Sequence, residues 1–453
     1  MMHFSLIKGS FLLLMFVLSI EGTIALRNSL MSLIVLYLLF NQKILVSTYR
    51  EILSSKELSS IVSSLLIFLF FVLLHSFFKS TDLFWSLDEW RAHLLYPVIY
   101  FFVGIMIANL VVTKKIASPQ TFITAIFFSL FLHIIYIDLV GLESLIENGS
   151  MLRRYGGFME SPTTANYLTN ILIAILSAEY VYRLRNKECF LKLSNGFLHL
   201  AMLACIFSTF IEALRLGDIS LFLLGVSAAI IFSYKNNTYS KNHKRSITAL
   251  IIFTLSIPIT YNINTDPRWG KLIETIPVAI ETAQSHHWIN KALPAPRTKS
   301  GYEVSGSNYE RVAWSKKAID YIYLDPLGIG FGRNAFGHAM QIYQSDIDAS
   351  IPRGQTSHSS ILDLTIGIGI FGTILWVFFI FKIAIFATNI FIKSNSYFSI
   401  ITIFITIGYF SRGLVDANLR DHMFLQFMLL LGIILFFLFS ENKKNEKDIH
   451  SKS

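Results

Sequence analysis

Ser357-His358-Ser359-Ser360-Ile361-Leu362-Asp363-Leu364-Thr365-Ile366-Gly367-Ile368-Gly369-Ile370-Phe371-Gly372 marks the point where a long polar segment gives way to a glycine-studded apolar run. That run continues to residue 381, and a helix of about 20 apolar residues is what a bilayer requires. The stretch is therefore read as the junction between a large loop and a membrane helix. His358 stands at the junction. Imidazole titrates nearer neutrality than any other unperturbed side chain, so it takes or gives a proton under ordinary conditions. At a membrane surface it can meet both a lipid-borne and a water-soluble reactant, which makes it the first candidate for catalysis. The plainer reading is a residue at the start of a helix, capped by Ser357.

Composition agrees with a membrane protein. The chain has 453 residues, 53% hydrophobic and only 15% charged, where a soluble domain is nearer a quarter charged. Cys189 and Cys205 fall in or beside apolar segments, which excludes a disulfide framework in the polar loop. The net charge of +9 is dispersed through short loops between apolar spans, a pattern that sets topology and offers no face to nucleic acid.

Twelve spans are predicted, at 4–22, 29–47, 59–78, 93–113, 119–140, 164–182, 195–212, 217–234, 246–263, 359–381, 396–411 and 422–440. They group as membrane helices in 1–264, a large loop over 265–357, membrane helices again over 358–440, and a polar tail over 441–453. One set of alternate loops holds Lys43, Arg50 and Lys56; Lys114 and Lys115; Arg183, Arg185, Lys187 and Lys192; and Lys235, Lys241, Lys244 and Arg245. With Lys443, Lys444 and Lys447 in the tail, this places those loops and both termini in the cytoplasm. The opposite loops hold Arg153, Arg154, Arg215, Arg311 and Arg412. Arginine retained on the disfavoured side calls for a reason, and bidentate binding of phosphate is one.

Within the large loop, Ser307-Asn308-Tyr309-Glu310 matches a capping box, predicting a helix through Arg311, Trp314, Ala318 and Ile322 that stops before Asp325-Pro326. The turn Pro326-Leu327-Gly328-Ile329-Gly330-Phe331-Gly332 follows, then a second helix through Phe336 and Met340. Other motifs carry less. Gly367-x-Gly369-x-x-Gly372 fits the dinucleotide fingerprint as a pattern but lies inside a membrane helix, where close helix–helix packing explains it better. Asp346-Ile347-Asp348 has the D-x-D form of a metal site, although a lone D-x-D in a polar loop is usually a solvated turn. No convincing ligand cluster accompanies it, so no metal or other cofactor is expected. His338, in the second loop helix, is expected to tolerate alanine. Arg215 lies in Glu212-Ala213-Leu214-Arg215-Leu216-Gly217-Asp218 between two spans, a functional position by default unless Glu212 and Asp218 simply neutralise it.

These residues resemble the O-antigen ligases (WaaL), within the larger superfamily of membrane-embedded O-antigen ligases and polymerases. The family pattern is His, then Asn, Ser or Gln, nine residues, then Gly-x-x-Gly, Thr or Tyr; His358-Ser359 and Gly369-Ile370-Phe371-Gly372 fit it at every fixed position. Arg311-x-x-Trp314 is similar to the superfamily's Arg–Trp helix, with one residue fewer between the two. Pro326-Leu327-Gly328-Ile329-Gly330 resembles its Pro-Leu-x-Gly-x-Gly turn, and Arg153-Arg154-Tyr155-Gly156-Gly157-Phe158 its earlier Arg-x-Gly-x-Phe loop. The resemblance runs from about 150 to 420.

It implies an all-α, polytopic, GT-C-like fold of about twelve spans with one large helical periplasmic loop, in a bacterial inner membrane. It further implies an inverting, metal-independent glycosyltransferase moving a polysaccharide from undecaprenyl diphosphate to a lipid A–core sugar hydroxyl. The partners are then that donor, that acceptor and membrane lipids, with the active site on the periplasmic face. His358 is the expected base; Arg215 and Arg311 are expected to hold the diphosphate, with Arg153 or Arg154 assisting. Asp416, Trp314 and Ser359 are supporting residues, Asp416 to orient the histidine or another polar group. Two alternatives stay open: a polymerase or protein O-oligosaccharyltransferase using the same donor, and a lipid-linked glycan transporter or flippase that does no chemistry.

Overall fold

The computed structural model describes residues 2–114, 117–212, 215–234, 239–265, 268–281, 285–344, 354–419 and 421–450. Lys115, Lys235, Asp346 and Asp348, and the side chains of Arg215, Asp218 and Lys447, lie outside the described residues. Seventeen α-helices follow one another among the described residues, interrupted by one π turn and one 3-10 turn, with no strand beyond an isolated Arg297–Glu303 bridge. The first seven are α1 (Met2–Val17), α2 (Ile24–Phe40), α3 (Gln42–Ser54), α4 (Lys56–Lys79), α5 (Leu83–Trp90), α6 (Tyr96–Lys114) and α7 (Pro119–Asn148). Then come α8 (Pro162–Asn186), α9 (Asn195–Glu212), α10 (Arg215–Ser233), α11 (Lys241–Thr265), α12 (Arg268–Ile280), α13 (Gly306–Leu324) and α14 (Ala335–Tyr343). The chain closes with α15 (Ser360–Ser394), α16 (Tyr397–Gly413) and α17 (Asp421–His450).

Local chemistry sets many of these boundaries. Ser118 accepts the Thr121 N–H at 3.1 Å and Pro119 takes the first helical position of α7, while Gly149 ends it in the left-handed conformation. Among the described residues, six helices or continuous helical runs are long and apolar enough to cross a membrane: α4, α5–α6, α7, α9, α15 and α17. The count is seven if the bent pair α2–α3 is one span. The helices at the other expected spans, α1, α8, α10, α11 and α16, are outside that set. The architecture is that of a multi-pass helical membrane protein.

The expected span at 29–47 is not a single helix. Asn41 leaves helical geometry and the axes of α2 and α3 meet at 85°. Beyond the break, α3 is amphipathic and buries only Ile44, Thr48 and Ile52, a stripe at four-residue spacing. At the centre of the molecule lies α17, apolar on every side and buried through Leu429, Ile433 and Leu435. It approaches α6 so closely that Gly104 and Gly432 have no room for a Cβ against the facing backbone carbonyls of Leu429 and Phe101.

Hydrogen bonds define two ends. At one, Tyr155 N–H reaches the Ile211 carbonyl at 3.4 Å, Arg412 Nη2 reaches the Thr163 carbonyl at 2.9 Å, and Ser360 N–H reaches the Asp416 carbonyl at 3.0 Å. This end therefore collects the α7–α8 loop, the α9–α10 corner, the start of α15 and the end of α16. At the other, Arg185 donates to the Ile231 and Tyr234 carbonyls at 2.7 Å each and to Asn395 Oδ1 at 2.6 Å, tying the ends of α8, α10 and α15 together.

The large loop has its own core, with Trp288, Tyr309, Trp314, Tyr321 and Phe336 packed together and onto Ile366 of α15. As expected, α13 stops before Asp325-Pro326 and α14 covers Phe336 and Met340. The expected capping box is not the helix start, however. Ser305 is the N-cap and α13 begins at Gly306, while Glu310 turns away to pair with Lys291 at 2.8 Å.

Candidate active site

Residues 357–363 form a tight turn into α15. Ser359 caps the helix, accepting the Leu362 N–H at 3.3 Å, and Asp363 Oδ1 accepts the Ser357 N–H at 2.9 Å from within the first turn. Ser357 Oγ donates to the Ser359 carbonyl at 3.1 Å and accepts the Ser359 N–H at 3.2 Å, so the turn closes on itself around His358. His358 is thereby held at φ 59°, a left-handed conformation uncommon for residues other than glycine. Strained backbone persists only where surrounding structure enforces it, and it concentrates at functional sites.

The half-buried His358 imidazole stacks on the Trp314 indole, with ring centroids 5.4 Å apart and planes at 16°. Trp314 is itself fixed, because its Nε1–H donates to the Trp288 carbonyl at 2.8 Å and its ring packs on Phe336. Arg311 lies three residues before Trp314 and so is its neighbour on the α13 surface. Its side chain is exposed and has no ion-pair or hydrogen-bond partner among the described residues. The structure therefore brings together His358, Trp314, Ser359 and, one turn along α13, Arg311. In the same core, burial pushes the phenols of Tyr309, Tyr321 and Tyr343 above their ordinary range, so these hydroxyls stay protonated.

Arg153 and Arg154 sit exposed on the α7–α8 loop, at this same end, and no contact among the described residues joins either to His358 or Arg311. The α9–α10 corner is there too, with the Arg215 backbone opening α10. Glu212 does not await Arg215 as a free carboxylate. It accepts from Asn166 Nδ2 at 2.7 Å and from the Thr169 hydroxyl.

Of its two expected partners, the histidine or another polar group, Asp416 takes the second. Its carboxylate pairs with buried Arg412 at 2.8 Å and accepts its own neighbour's Ala417 N–H at 2.9 Å, so it is spent on the α16 corner. It supports the histidine turn through its backbone carbonyl, which takes both the Ser360 N–H and the Ser360 hydroxyl. The carboxylate that braces the turn is Asp363. It stands in the stretch quoted first, and an acid in the opening turn of a helix is a readable signal.

The glycine motif also works differently from expectation. Gly369, at φ 73° and ψ 176°, breaks α15. The turn 326–330 inserts at the break: Ile329 N–H donates to the Ile366 carbonyl at 3.0 Å, Gly330 N–H to the Gly367 carbonyl at 2.8 Å, and Ile370 N–H to the Pro326 carbonyl at 3.0 Å. Gly328 and Gly369 meet backbone to backbone with no space for a side chain on either. Gly372 serves the expected helix-to-helix contact, against Phe71 of α4. From α4, His75 Nε2 bonds the Leu327 carbonyl at 2.7 Å, and from the turn after α4 the Thr81 N–H reaches the Ile329 carbonyl at 2.8 Å.

Beside the histidine turn lies a shallow cleft lined by Arg333, Phe331, Ser360, Asp363 and Leu419. Arg333 is anchored by Glu89, which accepts its backbone N–H at 2.9 Å and lies 3.5 Å from its Nε. It is a loop arginine that its sequence context did not single out, since only the fold carries it to α15. His338 is not a neutral surface residue either: it is buried and stacks on Trp85 with centroids 3.7 Å apart. Among the described residues no three of His, Cys, Asp and Glu converge as metal ligands. No protein-family model matches the chain, and no curated protein matches it.

Proposed function

We propose that the chain is a membrane glycosyltransferase of the O-antigen ligase kind. The observation that carries this reading is the His358 imidazole, fixed in a left-handed turn at the mouth of a membrane helix and stacked on Trp314, with exposed Arg311 one helical turn from that indole along α13. In the proposed reaction His358 takes the proton of an acceptor sugar hydroxyl on lipid A–core. The oxygen attacks the anomeric carbon of the lipid-linked polysaccharide from the face opposite the diphosphate, inverting that centre. The bond from carbon to the diphosphate oxygen breaks, and undecaprenyl diphosphate leaves with the electron pair. Arg311 and Arg215 offset the developing charge, with Arg153 and Arg154 drawn in from the neighbouring loop; fixed donors of this kind act strongly in a site poor in water. The activated donor already holds the driving force, so no nucleotide is consumed.

On this reading the active site faces the periplasm from a bacterial inner membrane, in a protein of about twelve spans with both termini cytoplasmic. The break in α15 weighs against a translocation path, because the 326–330 turn fills it. The deciding experiment supplies purified protein in lipid with lipid-linked glycan and lipid A–core. Glycosylated lipid A–core supports ligation. A longer lipid-linked glycan would replace it with polymerisation, and no covalent product would leave transport.

A further inference from the structure

The break at Asn41 sets α3 across the axis of α2, at 85°, where a continuous span would have carried it along that axis. It lies at the end of the molecule away from His358. Lys443 of α17 reaches Glu51 there at 2.5 Å, and Glu441 accepts the hydroxyl of Ser396, the neighbour of the Asn395 held by Arg185. α2 arrives at this end with Leu36, Leu39 and Phe40 exposed, and α4 leaves it from Lys56 as a membrane span. With α2 upright in a bilayer, α3 runs along the bilayer surface.

At about 100° per residue, the circumference of α3 divides into strips. Ile44, Thr48 and Ile52 face inward and are buried, and Asn109 of α6 donates to the Ser47 and Thr48 hydroxyls at 2.9 and 2.7 Å, which fixes the helix from beneath. One flank is apolar and open, with Val46, Tyr49 and Leu53, the last two 64% and 57% exposed. The opposite flank is polar, with Ser47, Glu51 and Ser54. Lys43 and Arg50 are exposed and stand two turns apart on the border between those flanks, one three and the other four residues from Val46. Glu51, the one acid of α3, is taken by Lys443, and neither Lys43 nor Arg50 has an ion-pair partner among the described residues.

Apolar, then cationic, then polar is the order of hydrocarbon, headgroup and water met by a helix lying in a membrane interface. Leu39 and Phe40, exposed on α2 just before the bend, adjoin the apolar flank in the chain, so the lipid that covers them is at hand to cover it too. Water would leave Val46, Tyr49 and Leu53 uncovered, and hydrocarbon alone would strand the two cations. A phospholipid with a net negative head meets both demands.

We propose that α3 is an interfacial helix that holds anionic phospholipid headgroups with Lys43 and Arg50 while its apolar flank enters the acyl region. The test uses the full chain with Cys189 replaced by serine and an environment-sensitive fluorophore on Y49C, reconstituted in phosphatidylcholine nanodiscs. A nitroxide on carbon 5 of an acyl chain is supplied on phosphatidylglycerol or on phosphatidylcholine, and aqueous iodide is added separately. Both nitroxide lipids are expected to quench the label more strongly than iodide does. Phosphatidylglycerol should reach half-quenching at a mole fraction lower by on the order of tenfold. In K43Q/R50Q that preference should disappear, and in the charge-retaining K43R/R50K it should persist. V46C, on the same flank, is the second reporter should the label at 49 disturb folding. Iodide quenching the label while the nitroxide lipids leave it bright would overturn the interfacial placement. Equal quenching by the two lipids, or a K43Q/R50Q chain that keeps the preference, would overturn the headgroup assignment.

Discussion

Imidazole at position 358 answers two demands, one on the backbone and one on the ring, and substitution separates them. Glycine there would remove a left-handed penalty of about 1–2 kcal/mol but forfeit a ring stack of about 0.5–1.5 kcal/mol. His358→Gly should therefore unfold at nearly the native temperature. If the imidazole is the base, the same variant should transfer glycan about 10²–10⁴-fold more slowly while still retaining lipid-linked donor. Turnover of the native chain should fall in acid as the imidazole protonates. A glycine variant with native turnover would remove His358 from the chemistry. Arg311 poses the opposite case. It is exposed and unpaired, so Arg311→Ala should change stability by no more than about 0.5 kcal/mol. Its effect should appear as weaker donor use, read as a raised KM for lipid-linked glycan; an unchanged KM would leave the diphosphate to other arginines. His338 is no control for these experiments, because alanine there empties a buried stack on Trp85. Gly196 in α9, with open space around its Cα, is a better one.

At the scale of elements, two features bear on how far a sequence can be read. The start of α15 and the end of α13 were legible, because an apolar run and an Asp-Pro step act locally, although the serine that caps α15 is Ser359 and not the expected Ser357. The break at Gly369 was not, because the same three glycines suit a continuous helix packed on another. What decides is a turn some forty residues upstream in sequence, and spacing says nothing about it. For Asp416 two partners were open, the histidine or another polar group: its carboxylate takes Arg412, one helical turn away, and reaches the histidine turn only through a backbone carbonyl. Both features make predictions. Gly369→Ala would bring a Cβ into the Leu327 carbonyl at a positive φ, so it should cost about 2 kcal/mol or more and lower the thermal midpoint, whereas Gly196→Ala should not. Arg412→Ala leaves Asp416 buried without its cation and should cost about 3–5 kcal/mol, with Asp416→Ala/Arg412→Ala together costing less than the two losses added. Simple additivity in that cycle would mean the pair contributes nothing as a pair.

For the whole molecule, orientation is the property on which every functional statement depends. The helical connectivity sends the α10–α11 turn and the 265–357 loop to opposite ends of α11. Ser240 and Ser300 are both exposed, which makes them suitable reporters. In intact spheroplasts, cysteine at 300 should react with an impermeant thiol reagent and cysteine at 240 should not; native Cys189 is exposed and needs replacing first. The reverse result would put His358 on the wrong face for its proposed donor. The docking of the 326–330 turn into α15, braced from α4 by His75, has a consequence for anyone exchanging parts between such enzymes. The loop is not a cassette. A chimera that grafts residues 265–357 onto a foreign scaffold would carry a key shaped for a lock left behind, and specificity swaps will need to move α4 and α15 along with the loop.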